Sequence, residues 1–462
     1  MAYGPIPRMP GPMTQQQPRQ AVAVVGGAVA GARLAEILAE AGLEVAVFEQ
    51  NRRPYGKIED GLPRWHTALR QQEYRKIRER LSKDGVHFVP LTRIGQDVTL
   101  DGLIDDWGFT AVVLACGAWR DRPLPVDGID TYLGKGFVYQ NPFIIAFNHA
   151  EDPEYVGPNF EVEDEGIVVG GGLASIDVVK VMMLETTRKK LRELGHDVDV
   201  ETLEKAGLEK ACATVGVQWS DLGLKGATLF YRRQAEDMPL QEIPEGADDK
   251  KREKVRSNRR KMLERTMQKY KFHFEPLSIP DAPLIENDRV VGLRFRRAEL
   301  VNGRVTPTDE TFERRGSLVV SSIGSIPNPI QGVPMRGELF AFEDWELGRI
   351  SGLPRVFSCG NVVTGKGNIV ASGRHAASVG ERLISAFLGL EERTEQTESQ
   401  VGEALEQAAA PSGPAVAEAV TGQLPELESG QLEAIRKRIR ERQAQVGFED
   451  LDRWMDRHAA QV

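Results

Sequence analysis

The sequence predicts an α/β fold: two Rossmann-like three-layer nucleotide-binding domains plus a C-terminal helical tail. Three observations carry that expectation. Two Gly-rich turns, Gly26-Gly27-Ala28-Val29-Ala30-Gly31 and Gly170-Gly171-Gly172-Leu173-Ala174-Ser175, each follow an apolar run and precede a run with helical spacing. The chain has 462 residues, too many for one compact α/β unit. Strand-like and helix-like segments alternate around both turns, as a doubly wound sheet requires.

The elements follow in order. MAYGPIPRMPGPMTQQQPRQ is rich in Pro and Gln and has no apolar stretch, so residues 1–19 are expected to be a disordered arm without a secretory signal. Ala21 to Val25 is continuously apolar, the pattern of a parallel strand buried on both faces. RLAEILAEAG sets Leu34, Ile37, Leu38 and Ala41 on one helix face, and Gly42 ends it. A second strand, Glu44 to Phe48, runs into Glu49. The second unit repeats the plan from Gly166 to Val169, through its turn, into IDVVKVMMLETTRKKL. A long polar insertion at 190–224 then delays the next strand, Ala227 to Tyr231. Residues 391–428 lack aromatics and read as an acidic flexible linker. Helical spacing resumes at Leu432, Ile435 and Ile439, Gly447 interrupts it, and Leu451, Trp454 and Met455 group in a short amphipathic end. These segments read as helices docked on the chain's own core, with a partner-docking tail as the alternative.

Composition removes several classes. There are 59 basic against 68 acidic residues, a net charge of −9, and no nucleic-acid-binding motif. No apolar run reaches the length of a membrane span, so a cytoplasmic protein is expected. Three cysteines, Cys116, Cys212 and Cys359, stand far apart in sequence, with no C-x-x-C redox pair and too few for a four-cysteine iron–sulfur cluster.

Each Gly-rich turn places backbone N–H groups at a helix N-terminus, where a pyrophosphate is held. At the first, Glu49 stands at the tip of the second strand, where a carboxylate accepts hydrogen bonds from ribose hydroxyls. Ala28 replaces the middle glycine, so a ligand would ride slightly farther out. At the second, Gly170 and Gly172 are kept, and the equivalent strand ends in Tyr231-Arg232-Arg233. Two guanidiniums in place of an acid suit a 2′-phosphate, hence NADP(H) rather than NAD(H). A flavin and a nicotinamide together imply hydride transfer between them.

Five ordered segments over about residues 20–390 resemble the adrenodoxin reductase and glutamate synthase small-subunit group of FAD-dependent NADPH oxidoreductases: VVGGAVAGARLAEILAEAGLEVAVFEQ, LACGAWRDRPLPVDG, VVGGGLASIDVVKVMM, FYRRQAEDMP, and LVVSSIG with RVFSCGNVVTGKGNIVASGRHAAS. The resemblance implies an FAD domain from 20–130 and 335–390, an NADP domain at 131–334, and C-terminal amphipathic helices at 429–462. It implies that Gly26, Gly27, Ala28, Gly31, Glu49, Gln50, Tyr55 and Gly56 serve cofactor binding, with Gly117 and Arg122 at the handover and Gly360, Asn361, Gly367, Asn368 and Ile369 on the return. Gly170, Gly172, Leu173, Ala174, Arg232 and Arg233 would serve NADP(H). PYGKIEDGLPRWH aligns with a family segment ending in a histidine near the flavin, which makes His66 the candidate proton handler and Asp177 its acidic neighbour. Asn361 stands where relatives carry Asp or Trp, and Gly365-Lys366-Gly367-Asn368-Ile369 where they carry G-P-x-G-x.

The resemblance also implies an acceptor. Without a cysteine pair, the expected route runs from NADPH through FAD to a ferredoxin-type iron–sulfur protein, or in reverse. The alternatives are an NADPH-oxidising entry subunit feeding a partner reductase subunit, and a non-catalytic nucleotide-binding scaffold or sensor. Between Lys250 and Lys271 eleven residues are basic and two acidic. Lys250, Arg252, Arg256, Arg259 and Arg260 therefore form a candidate docking patch for an acidic partner.

Overall fold

The computed structural model describes residues 20–244, 246–365, 367–388 and 426–459. The expected N-terminal arm and most of the expected linker lie outside the described residues. Those described divide into two compact units, one within Met1–Tyr55, Arg75–Gly117 and Pro329–Ala460, the other within Gly56–Tyr74 and Ala118–Asn328. Each is a parallel five-stranded sheet flanked by helices, and the α/β Rossmann-like class with a C-terminal helical region holds.

In the first unit the strands lie in the order Val356–Ser358, Ala111–Leu114, Ala21–Val25, Glu44–Phe48, Val86–Val89, all parallel. The central strand is apolar at every position because both its faces are covered. Ala21, Ala23 and Val25 enter a core with Phe48, Leu114, Leu432, Ile435 and Ile439, the last three supplied by helix Ser429–Gln445. On the opposite face Val24 meets helix Val29–Glu40 at Gly31, where an added Cβ would come 3.3 Å from the valine Cγ1. Helix Ile369–Arg382 lies against helix Val29–Glu40 at Gly380, whose missing side chain leaves room for Leu34 and Ile37.

The second unit's sheet runs Phe137–Tyr139, Val319–Ser322, Ile167–Gly170, Thr228–Phe230, His273–Glu275, again all parallel, with the glycine-turn strand central as before but the edge strand supplied by the start of the unit rather than its end. Two features differ from the sequence expectation. The insertion at 190–224 is not merely polar, because helices Val200–Ala206 and Leu208–Thr214 bury Val200, Leu203, Leu208, Ala211 and Cys212 in this unit's core. Seven residues are too few for a helical period to stand out among flanking charges. The unit also carries an antiparallel sheet of Ser278–Glu286, Arg289–Val301 and Arg304–Arg315. Its strands are dense in Arg and Glu, but Phe295 stacks on Phe230 at 4.1 Å between ring centroids and on Phe312 at 5.5 Å. A short antiparallel ribbon, Arg120–Asp121 with Ser325–Ile326, belongs to the same unit.

One buried charge ties the C-terminal helix to the first sheet. The Glu44 carboxylate is 3% exposed, and Arg436 donates to both its oxygens, Nε at 2.8 Å and Nη2 at 2.9 Å. Burial opposes ionisation, but hydrogen bonds from His87 and Arg436 outweigh it and bring Glu44 down to about 2. A carboxylate with a depressed native pKa stabilises the fold above its unfolded value and loses that contribution as pH falls. Arg436→Met is therefore expected to destabilise the first unit by about 2 kcal/mol in denaturant titrations near neutral pH. The difference from the parent chain should shrink as pH drops from 4.5 toward about 2.

Candidate functional site

At the first Gly-rich turn the backbone makes three close approaches. Gly26 takes a φ of +103°, and its N–H donates to the Phe48 carbonyl at 2.7 Å. A Cβ on Gly31 would fall 1.8 Å from the Gly26 carbonyl oxygen, so only glycine lets the helix start this close to the strand. A Cβ on Gly27 would meet Pro54 at 2.9 Å. Ala28 is the N-cap of helix Val29–Glu40 and offers no side-chain acceptor to its first-turn N–H groups, unlike Asp199, Asp248 and Asp450 at other helix starts. Glu49 is buried at the end of its strand, with Oε2 accepting the Gly27 N–H and Oε1 the Asn51 N–H, both at 2.9 Å. These residues fit the adenosine diphosphate half of a dinucleotide. Gln50 is exposed, Tyr55 is buried, and Gly117 adopts a φ of +70°.

The return segment supplies a second edge to this unit. Gly360, at φ +81°, passes so close to helix Val29–Glu40 that a Cβ would lie 2.6 Å from that of Ala30. Asn361 opens the short helix Asn361–Thr364, and its Oδ1 accepts the Gly367 N–H at 2.7 Å. Asn368 caps helix Ile369–Arg382 by accepting from Ala371 N–H at 2.6 Å, and Ile369 is its first residue. His375 was not anticipated: its Nδ1 accepts the Gly360 N–H at 3.0 Å, and burial pushes its pKa down, which keeps that nitrogen free to accept. Burial pushes the Cys116 and Cys359 thiols up to about 12, so neither is a thiolate at neutral pH.

The second turn has the same plan with other side chains. Gly170 lies against Ser322, where a Cβ would meet the carbonyl oxygen at 2.2 Å, and a Cβ on Gly171 would fall 2.1 Å from the Tyr231 ring. Gly172 faces open space and caps helix Leu173–Glu193 without a side-chain acceptor, while Leu173 and Ala174 are exposed. Ser175 closes the turn by donating to the Ser322 carbonyl at 2.9 Å. An uncapped, exposed helix start of this length fits a dinucleotide phosphate. Arg232 is exposed, whereas Arg233 is half-buried and donates to the Gly303 carbonyl.

Within the second unit His66 Nε2 lies 3.9 Å from Asp177 Oδ1, so the two candidates do meet. Asp177 has another neighbour that sequence reasoning missed. Lys180 Nζ stands 3.9 Å from it and 2.9 Å from Glu204, between the rings of Trp65 and Tyr270 at 4.6 and 4.8 Å. Its side chain is 9% exposed, and Tyr270 donates to the same Glu204 oxygen at 2.7 Å. The i, i+3 spacing of Asp177 and Lys180 was visible in the sequence, but the aromatic pair comes from distant segments. Gly56, at φ +50°, caps Lys57–Asp60. Lys57 donates to Ser325 Oγ at 3.0 Å and Asn141 Oδ1 at 3.1 Å, and burial lowers its pKa to about 8. Burial likewise lifts nearby Asp121 to about 6. Arg122 is exposed, and its N–H donates to the Gly324 carbonyl at 3.0 Å.

The basic run forms helix Asp249–Tyr270. Four of its five candidate docking residues have partners within the chain: Arg252 donates to the Ala247 carbonyl at 2.8 Å and Arg260 lies 3.9 Å from Glu264, besides the two that follow. Arg259 donates to the carbonyls of Gln241 and Glu236, and Arg256 pairs with Asp237 at 3.3 Å, so both brace the loop that follows Arg232 and Arg233. Lys250, Arg252 and Arg260 are exposed. The charge count did not distinguish these two groups because both lie on one helix.

These two glycine turns, each between a parallel strand and a helix, define a fold with two dinucleotide-type sites, and comparisons agree on the fold. The model of the pyridine nucleotide-disulphide oxidoreductase family matches residues 20–215. The chain is 24% identical over 395 residues to the glutamate synthase [NADPH] small chain of Escherichia coli (strain K12), covering 78% of this chain and 68% of that one. The Bacillus subtilis (strain 168) small chain is 31% identical over 196 residues, 41% of this chain and 36% of its own length. Mycobacterium tuberculosis FprA in complex with NADPH superposes with a TM-score of 0.63 over 93% of this chain and 91% of that one, at 19% identity, a likeness of fold. Over residues 20–215 the chain is thus similar to the pyridine nucleotide-disulphide oxidoreductases, and over most of its length to a glutamate synthase small chain.

The Lys180 cluster gives a direct test of what holds the second unit together. Lys180→Met leaves the half-buried Glu204 carboxylate without its ammonium, and the unit should lose about 2–4 kcal/mol in denaturant titrations. Lys180→Arg should recover most of that loss.

Proposed function

We propose that this chain is an oxidoreductase that passes electrons from NADPH through FAD to a ferredoxin-type iron–sulfur acceptor, or in the reverse direction. One contrast carries the reading: two glycine turns of the same plan, one bordered by the buried acid Glu49 and the other by Arg232 and Arg233. The acid suits ribose hydroxyls and the guanidiniums suit a 2′-phosphate. Flavin, when bound, accepts two electrons as hydride and releases them singly, which matches a two-electron donor to a one-electron acceptor. The chain's residues supply the rest. Helix Val29–Glu40 directs its uncapped N–H groups at one pyrophosphate, and helix Leu173–Glu193 does so for the other. His66 is the candidate to hold or move a proton, with the Asp177 carboxylate 3.9 Å away and Lys180 at the same distance from that carboxylate. The exposed cations Lys250, Arg252 and Arg260 suit an acidic partner, a weaker case than for the intact run. Two of the relatives are named as glutamate synthase small chains, which supports a second reading as the NADPH-oxidising subunit of a larger reductase. Copurification of a stoichiometric second chain would favour that reading.

Anaerobic titration of the purified protein tests the proposal. NADPH is expected to bleach a flavin spectrum at lower concentration than NADH, and Arg232→Ala with Arg233→Ala should erase most of that preference. An acidic ferredoxin added afterwards should be reduced, less readily as salt rises. A colourless protein that takes up no FAD, or equal use of both nucleotides, counts against the reading. His66→Gln should slow the bleaching step by about 10-fold or more while leaving NADPH affinity within about twofold, read by stopped-flow absorbance and equilibrium binding. The opposite split assigns His66 to binding.

A further inference from the structure

The C-terminal helices do more than cover apolar surface. Ligands of open parallel sheets bind outside the carboxyl ends of the strands. In the first unit two segments leave those ends beside Glu49: residues 49–55 after strand Glu44–Phe48, and 90–92 after strand Val86–Val89. Both are held by the last part of the chain, and largely through backbone carbonyls. Trp454 Nε1 donates to the Arg52 carbonyl at 2.7 Å, Arg53 donates to the His458 carbonyl at 3.0 Å, and the Tyr55 hydroxyl meets Met455 Sδ at 3.8 Å. Arg442 donates to the Leu91 carbonyl at 2.8 Å and to Thr92 Oγ1 at 2.9 Å, and the Thr92 N–H in turn donates to the Glu49 carbonyl at 2.9 Å. Trp454 and Met455 are 3% and 4% exposed, so the two side chains that reach residues 52 and 55 are themselves buried.

We propose that the segment 426–459 is a built part of the flavin site: it fixes the path of residues 49–55 and 90–92 and so holds Glu49 in place to bind the adenosine ribose. The inference rests on the flavin reading above, because it assigns the occupant of the first glycine turn. Trp454, Met455 and Arg442 are positioning residues, acting on Glu49 through the loop and not on the ligand. Pro54 links the loop to the turn itself, since it lies at the Gly27 Cα. Contacts aimed at main-chain carbonyls set the course of a loop whatever its side chains are.

The test uses the full chain freed of flavin and reconstituted with FAD, followed by quenching of FAD fluorescence. Trp454→Phe keeps the buried ring and removes its N–H donor. The expected result is an FAD dissociation constant raised by about three- to tenfold, the effect of one neutral hydrogen bond. NADP⁺ affinity should be unchanged, as should the melting temperature of the flavin-free chain to within a few degrees. Arg442→Met, which acts on the second segment, should give a loss of the same direction and serves if Trp454→Phe does not fold. Parent-like FAD affinity in both variants would overturn the proposal, as would an FAD loss that merely tracks a fall in melting temperature. If the parent chain takes up no FAD, the flavin reading itself falls, an outcome distinct from either of these.

Discussion

The close approach of a helix N-terminus to the end of a parallel strand is the constraint on which the rest of this structure depends. In the first unit it requires that nothing larger than hydrogen stand at Gly31, because its Cα all but touches the Gly26 carbonyl. In the second it requires the same of Gly170 against Ser322. Once those contacts are made, each helix points unsatisfied N–H groups at the space beyond its sheet. The charge next to that space is then decided by the residue ending the neighbouring strand.

That single position separates the two halves. Glu49 is buried and accepts two backbone N–H groups, so its orientation is set before any ligand arrives. Preorganisation of this kind lowers the cost of binding. The second site takes another course, with Arg232 exposed and Arg233 partly engaged, while Arg256 and Arg259 brace the loop that follows them. Part of a helix that reads as one basic face in the sequence is thus committed to a local structural role. Charge density along a helix does not reveal which cations have carbonyls within reach.

The same limitation explains what sequence reasoning overlooked around His66. Its pairing with Asp177 followed from family resemblance, but Lys180, Glu204, Trp65 and Tyr270 come together from four segments. A lysine in a helix between two apolar residues reads as a surface residue. Here two rings and two carboxylates replace its hydration. The antiparallel sheet of residues 278–315 was missed for a related reason. Its arginines and glutamates mask Val290, Leu293 and Phe295, which face the core together with Phe312.

Local chemistry was enough to determine the two glycine turns, the strands and helices beside them, the acid after one and the arginines after the other. Those features depend on residues within about one βαβ unit, where period, size and charge act directly. The strand order of each sheet, the His375 support beneath Gly360 and the anchoring of residues 49–55 by Trp454 were settled only by the tertiary structure. These join segments from 15 to about 400 residues apart. A hydrogen bond to a distant carbonyl leaves no pattern in composition or spacing, since every residue carries one.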